Sequence, residues 1–216
     1  MDGSWLDGVA CADRPPKPLS VEEIQGLVET WGESAKNARE TGFDGIEIHG
    51  ANGYLLDHFL HDNVNKRRDE YGGSIEGRSR FPLEVFQECA KAIGADRVGI
   101  RLSPYNYFQS TKNSDPNAHW QYLCEKIATL SQTVRPAYVH MVEPRFDEVL
   151  DEQAKINALA AYTSQGGKGV EAEATVKSKG NSLVEFRNIL SKRDVKFIAA
   201  GGFNRDKCAA QGRGWR

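Results

Sequence analysis

Apolar residues recur at Ile24, Leu27, Val28, Trp31, Ala35 and Ala38, one stripe at a 3.6-residue period. In front of the stripe, Ser20-Val21-Glu22-Glu23 has the form of a capping box, and Gly42 stands where a glycine stop is expected. The spacing predicts an amphipathic helix over 21–40. The next run, Phe43-Asp44-Gly45-Ile46-Glu47-Ile48-His49, is short and β-rich and predicts a strand. The same alternation repeats. Phe81, Val85, Phe86, Cys89 and Ile93 predict a helix over about 77–93, with Pro82 in its first turns, where a missing N–H costs little. A strand follows over 97–103. Trp120, Leu123, Cys124, Ile127 and Leu130 predict a helix over about 117–133, then a strand over 137–142. A last pair is a helix over about 182–192 and a strand over 196–200. Strands alternating with helices imply a parallel sheet with crossover connections. Ile46, Ile48, Ile100, Leu102, Val139, Met141 and Ile198 are expected at or near the inner face of that sheet.

Three stretches depart from this rhythm. Residues 1–19 end in Arg14-Pro15-Pro16-Lys17-Pro18 and read as an irregular arm. Segment 151–181 is polar, with Gly166, Gly167 and Gly169, and reads as a long loop. Residues 207–216 have no apolar period. The domain is therefore expected over 20–206.

The chain has 216 residues, 28 Lys+Arg against 30 Asp+Glu, and a formal net charge of −2. That balance argues against a broad nucleic-acid footprint, which needs an excess of basic residues on one face. No stretch approaches the roughly 18 uncharged apolar residues of a membrane span, and the first 20 residues lack the apolar core of a secretory signal. The four cysteines, Cys11, Cys89, Cys124 and Cys208, form no CxxC pair. They fit a reducing compartment such as the cytoplasm and exclude a compact zinc site. His58, His61 and His119 lack companion ligands, so no metal is expected.

Candidate chemistry gathers at the C-terminal ends of the strands, where parallel α/β folds bind ligands. In His49-Gly50-Ala51-Asn52-Gly53-Tyr54, two side-chain donors three residues apart can converge on one oxygen, with a phenol close by to give a proton. The same residues also suit an ordinary turn in which His49 and Asn52 cap the next helix. Arg101 interrupts a buried strand, so it meets either an anion or a carboxylate such as Glu47 or Glu143. Gly201-Gly202-Phe203, after the last strand, suits a phosphate approached by backbone amides or a tight turn. The loop Asn65–Ser74 is charged and turn-rich, its arginines set to pair with Asp69 and Glu70.

Taken together, these residues carry a family resemblance. The run from Gly42 to Asp57, the run Asn65–Glu76, Arg80-Phe81-Pro82-Leu83-Glu84, and the strands Arg97–Pro104, Val139–Pro144 and Phe197–Phe203 resemble the old yellow enzyme family, in order, over about residues 15–206. That family includes the 12-oxophytodienoate reductases and fungal ene reductases. The resemblance implies a partial (β/α)8 TIM barrel of four central βα units, strands four to seven. It implies non-covalent FMN, fed by NADPH or NADH, and reduction of the activated C=C bond of an α,β-unsaturated carbonyl compound. It implies that His49 and Asn52 hold the carbonyl oxygen of the small-molecule enone and that Tyr54 supplies the α-proton. Arg101 then faces the flavin, and Gly201, Gly202 and Phe203 form the phosphate turn. Against the family pattern the chain is truncated at both ends, beginning near the fourth strand and leaving the pattern after Asp206. Two open sheet edges would then invite a second copy to pair. The competing expectation is a catalytically inactive remnant or interaction fragment.

Overall fold

The computed structural model describes residues 16–106, 108–144 and 182–205. The elements follow in chain order as helix α1 (Val21–Glu40), strand β1 (Ile46–Gly50), helices α2 (Leu55–Leu60) and α3 (Ile75–Ile93), strand β2 (Val98–Leu102), helix α4 (Pro116–Thr129), strand β3 (Tyr138–Val142), helix α5 (Val184–Ser191) and strand β4 (Lys196–Ala200). The arm before Pro16, the loop expected over 151–181 and the tail over 207–216 lie outside the described residues.

Local chemistry sets the element ends. Ser20 Oγ accepts from Glu23 N while the Glu23 carboxylate accepts from Ser20 N, so the capping box closes in both directions. Asp115 caps α4 by accepting from Ala118 N, with Pro116 in the first turn. The first strand begins later than its sequence suggests. Arg39 Nη1 takes the carbonyls of Phe43 and Asp44, and Arg97 Nη1 also binds Asp44 O, so these acceptors serve arginines instead of a strand ladder. Helix α4 stops at Thr129, because Leu130 turns extended and a short 3-10 turn follows at Gln132–Val134. Pro82 is not in the first turns of its helix. Ser74 caps α3 by accepting from Gly77 N, the helix starts at Ile75, and Pro82 falls in the third turn. Helix α2 has six residues, too few to display a period in the sequence.

The four strands form one parallel sheet in the order β1-β2-β3-β4. Its register fixes which side chains share a face. Ile46, Ile48, Val98, Ile100, Leu102, Val139, Met141, Phe197 and Ala199 point one way, into a core shared with Ile24, Phe81, Val85, Phe86, Trp120, Leu123, Ile127 and Phe186. The apolar strand residues thus face the helices. Of those expected at the inner face, only Ile198 lies there, 43% exposed. The rest of the inner face is mostly polar, with Glu47, His49, Arg101, Tyr138, His140 and Lys196, and Val142 and Ala200 share its parity at the strand ends. A helix-covered sheet buries its apolar side against the helices, and the register sends every alternate residue to the opposite side.

One buried polar knot sits among the helices. His119 is 0% exposed. Asn113 Nδ2 donates to its Nδ1 at 2.7 Å, and its Nε2 lies 3.0 Å from Ser79 Oγ. These bonds suit a neutral ring, because a proton on Nδ1 would face the Asn113 amide hydrogens. Burial, and then the Arg78 guanidinium, press the imidazole pKa down to about 3. The unfolded chain, titrating near the ordinary value of 6.5, therefore binds more protons between pH 6.5 and 3. Stability contributed by neutral His119 is complete above pH 6.5 and falls with acidification by about 1.4 kcal/mol per pH unit. Urea unfolding at pH 7 and pH 5 should differ by about 2 kcal/mol more in the natural protein than in His119→Gln. Equal pH sensitivity of the two proteins would refute this account.

Candidate active site

The parallel register builds the site. His49 lies beside Arg101 on the neighbouring strand, Arg101 lies beside His140, and His140 lies beside Ile198, a single row across the inner face. One layer below, Glu47, Gly99, Tyr138 and Lys196 align. Gly99 is the pivot of that layer. A Cβ there would overlap the Tyr138 ring, so the missing side chain lets Tyr138 lie across β2. The Glu47 carboxylate reaches past it to His140, with Oε2 3.0 Å from Nδ1. Burial, and then Glu47, raise the Tyr138 pKa.

Arg101 has neither of the carboxylate partners its sequence context suggested. Glu47 is turned to His140, and Arg101 Nε is buried with no hydrogen-bond partner. A cation half-sunk in the inner face with an unmet donor suits an anionic or electron-rich ligand edge. Its charge is felt next door. Burial first, and the Arg101 guanidinium second, push the His49 imidazole below its ordinary range. His49 is thus neutral near pH 7 and offers one ring N–H as a donor.

The strand-end loop completes the cluster. Tyr54, half exposed, places its ring centroid 5.2 Å from that of His49. Asn52 is buried at 7% exposure, with Oδ1 accepting from Asn106 Nδ2 at 3.4 Å. That bond orients the amide so that its NH2 end is the one left to donate. The helix-capping alternative fails here, because the N-cap of α2 is Tyr54 and it makes no side-chain cap bond. Asn52 and Gly53 both adopt left-handed φ, +57° and +69°. A Cβ on Gly53 would meet Phe108 O and the Gln109 side chain, so only glycine fits under that loop.

Gly201 and Gly202, with φ of +112° and +63°, follow β4 at the same end of the sheet. They lie three strand spacings from His49, about 14 Å across the sheet at ~4.8 Å per spacing. The structure thus brings His49, Arg101 and Tyr54 together, sets Asn52 in the same strand-end loop with its amide oxygen on Asn106, and leaves Gly201, Gly202 and Phe203 at the far edge. Among the described residues no group of three or more His, Cys, Asp or Glu side chains could hold a metal ion, and no helix is long and apolar enough to cross a membrane. In the loop after α2, Arg67 pairs with Asp69 at 2.6 Å, and Arg80 from α3 bonds the Glu70 backbone carbonyl.

Sequence reasoning missed Asp57, Ser103, Asn106 and the Glu47–His140 pair. Asp57 had a signal, being an acid three residues after the N-cap of a short helix. The others become neighbours only through strand pairing. An NMR titration of the imidazoles should place His49 below 6.5, and Arg101→Gln should raise that midpoint. An unchanged midpoint in the variant would remove the guanidinium as a cause.

Comparison with known proteins supplies the context. The model of the NADH:flavin oxidoreductase / NADH oxidase family matches residues 7–159. The chain is 55% identical over 203 residues to flavin oxidoreductase hxnT of Emericella nidulans, covering 94% of this chain and 49% of that protein. It is 49% identical over 171 residues to 12-oxophytodienoate reductase 2 of Arabidopsis thaliana, covering 79% of this chain and 45% of that one. Among solved structures, morphinone reductase in complex with tetrahydroNAD matches with TM-score 0.68 at 30% identity, over 92% of this chain and 44% of that one. The old yellow enzyme homologue from Zymomonas mobilis matches with TM-score 0.71 at 26% identity, over 92% of this chain and 47% of that one. The chain thus spans about half the length of the curated relatives it matches, and its four-stranded parallel sheet is part of a TIM barrel. A family match over more than half the chain, joined to this strand-end geometry, places the chain in the NADH:flavin oxidoreductase / NADH oxidase family, that of the old yellow enzymes.

Proposed function

We propose that this chain carries the substrate-activating half of an FMN-dependent, NAD(P)H-fed reductase acting on the activated C=C bond of an α,β-unsaturated carbonyl compound. The observation that carries the reading is the juxtaposition of His49, Arg101 and Tyr54, in register and in ring contact at one strand-end mouth. The residues suit FMN. Arg101 has an unmet buried donor for the electron-rich edge of the ring, and the positive-φ Gly201-Gly202 turn can present amides to a phosphate. Morphinone reductase, similar in structure, is in complex with tetrahydroNAD, which supports a nicotinamide as the reductant.

When bound, FMN would supply the hydride received by the substrate β-carbon. The remaining work falls to side chains. His49, neutral, donates its ring N–H to the carbonyl oxygen, and the Asn52 amide donates a second hydrogen bond. Two fixed donors favour the charge that grows on that oxygen as the β-carbon is reduced. Tyr54 gives its phenolic proton to the α-carbon, and solvent restores it at this half-exposed position. The substrate gains a hydride and a proton, and the nicotinamide is oxidised. Activity in this reading requires a closed cylinder, so further βα units must pair along the outer edges of β1 and β4, from additional chain or from a second copy.

The test is FMN uptake followed by half-reaction kinetics. The protein should turn yellow with FMN. Tyr54→Phe should slow the enone half-reaction by about 100-fold, the scale of general-acid catalysis, and spare reduction by NADPH. Equal loss in both half-reactions would refute the proton-donor role. His49→Ala and Asn52→Ala should weaken binding of phenols, which mimic the enolate oxygen. A folded protein that stays colourless with FMN overturns the proposal and leaves an interaction fragment.

A further inference from the structure

Behind the loop that carries Asn52 and Tyr54 lies a fully buried carboxylate that the reaction does not use. Asp57 is 0% exposed, on the first turn of α2. Its Oδ2 accepts from Gly53 N at 2.8 Å and from Ser103 Oγ at 3.4 Å. Ser103, also 0% exposed, in turn accepts from Asn52 N at 2.8 Å. The two consecutive left-handed residues of the loop therefore have their amides tied, one directly and one through Ser103, to a single carboxylate oxygen. His61, 1% exposed, sets Nε2 3.3 Å from the same oxygen, in electrostatic reach though off the line of a hydrogen bond. Asp57 Oδ1 is buried with no hydrogen-bond partner.

A carboxylate with one unmet oxygen is a costly way to start a six-residue helix. A neutral cap at the surface would serve that purpose. What the charge holds is a backbone conformation that a residue other than glycine adopts only at a cost. Two amides point inward in that conformation: Asp57 accepts from Gly53 N, and Ser103 Oγ accepts from Asn52 N while donating to Asp57. Asn106 then fixes the far end of the Asn52 side chain.

We propose that Asp57, acting through Gly53 N and Ser103, is the positioning residue that locks the left-handed Asn52-Gly53 turn and so aims the Asn52 amide at the substrate oxygen. This rests on the proposed function for its consequence, and on the geometry alone for the brace itself.

The experiment compares natural protein, Asp57→Ala, Asp57→Asn and Ser103→Ala by hydrogen–deuterium exchange of backbone amides and by titration of the FMN-loaded protein with 4-nitrophenol. In Asp57→Ala, the amides of Asn52 and Gly53 should exchange about tenfold faster or more, the scale of one lost hydrogen bond to a buried charge. The 4-nitrophenol dissociation constant should rise by a similar factor, with FMN affinity and the exchange of β2 and β3 unchanged. Asp57→Asn, which keeps an acceptor for Gly53 N, should restore most of both. Ser103→Ala should free Asn52 N alone and shift both readouts less. Unchanged exchange at Asn52 and Gly53 in Asp57→Ala overturns the proposal, as does uniform loss of protection that Asp57→Asn fails to rescue. If Asp57→Ala does not fold, Ser103→Ala decides: unchanged exchange at Asn52 overturns the brace. If the natural protein takes up no FMN, the proposed function falls, and exchange at Asn52 and Gly53 by itself settles the brace.

Discussion

Parallel strand register is the constraint from which this molecule follows. With Ile48 opposite Ile100, the apolar residues at the centre of β1, β2 and β3 face the helices and every alternate residue the other way. A slip of one residue would bury Glu47, His49 and Arg101 among Phe81, Val85 and Leu123, and no helix packing would survive it. The demand that the helix side be apolar therefore fixes the row of His49, Arg101 and His140 on the opposite side. The site is a by-product of the core, although Arg101 Nε is left buried without a partner.

Charge on that inner face is arranged unevenly. Glu47 is spent on His140 and Tyr138, reaching them across the space that Gly99 leaves open. Arg101 is left with its Nε unmet. That guanidinium adds to burial in lowering the His49 pKa, and its unmet donor attracts electron-rich groups to the mouth. The missing side chain at Gly99 makes room for Tyr138 across β2, while Glu47 meets His140 and Arg101 Nε stays unmet.

The strand-end loop shows the complementary economy. Its two left-handed residues are braced from behind by Asp57, Ser103 and Asn106, which come from α2 and from the segment after β2. Asn52 and Tyr54 are on a short loop, yet the groups that fix the loop are buried, one on α2 and two in the segment after β2. Precision in a loop of this kind depends on the shell behind it.

Much of this was legible in the residues. The period-3.6 stripe and the Ser20–Glu23 box marked α1, and the alternation of short β-rich runs with amphipathic stretches marked a parallel α/β sheet. The motifs around His49, Arg101 and Gly201 marked the strand ends and the family. The strand start at Ile46 was hidden, because the carbonyls of Phe43 and Asp44 are claimed by Arg39 and Arg97, the second of them remote in sequence. Pro82 was misplaced because the helix begins earlier, at the Ser74 cap. Apart from Ile198, the apolar strand residues expected at the inner face lie on the helix side, because alternation separates two faces without saying which one the helices cover. Sequence by itself determined element types, their order and the residues able to do chemistry, since those rest on local period and side-chain type. Tertiary structure alone decided that Glu47 answers His140, that Arg101 is left unmatched, and that Asp57 and Ser103 hold Asn52, since each of these contacts depends on how the strands and loops pack.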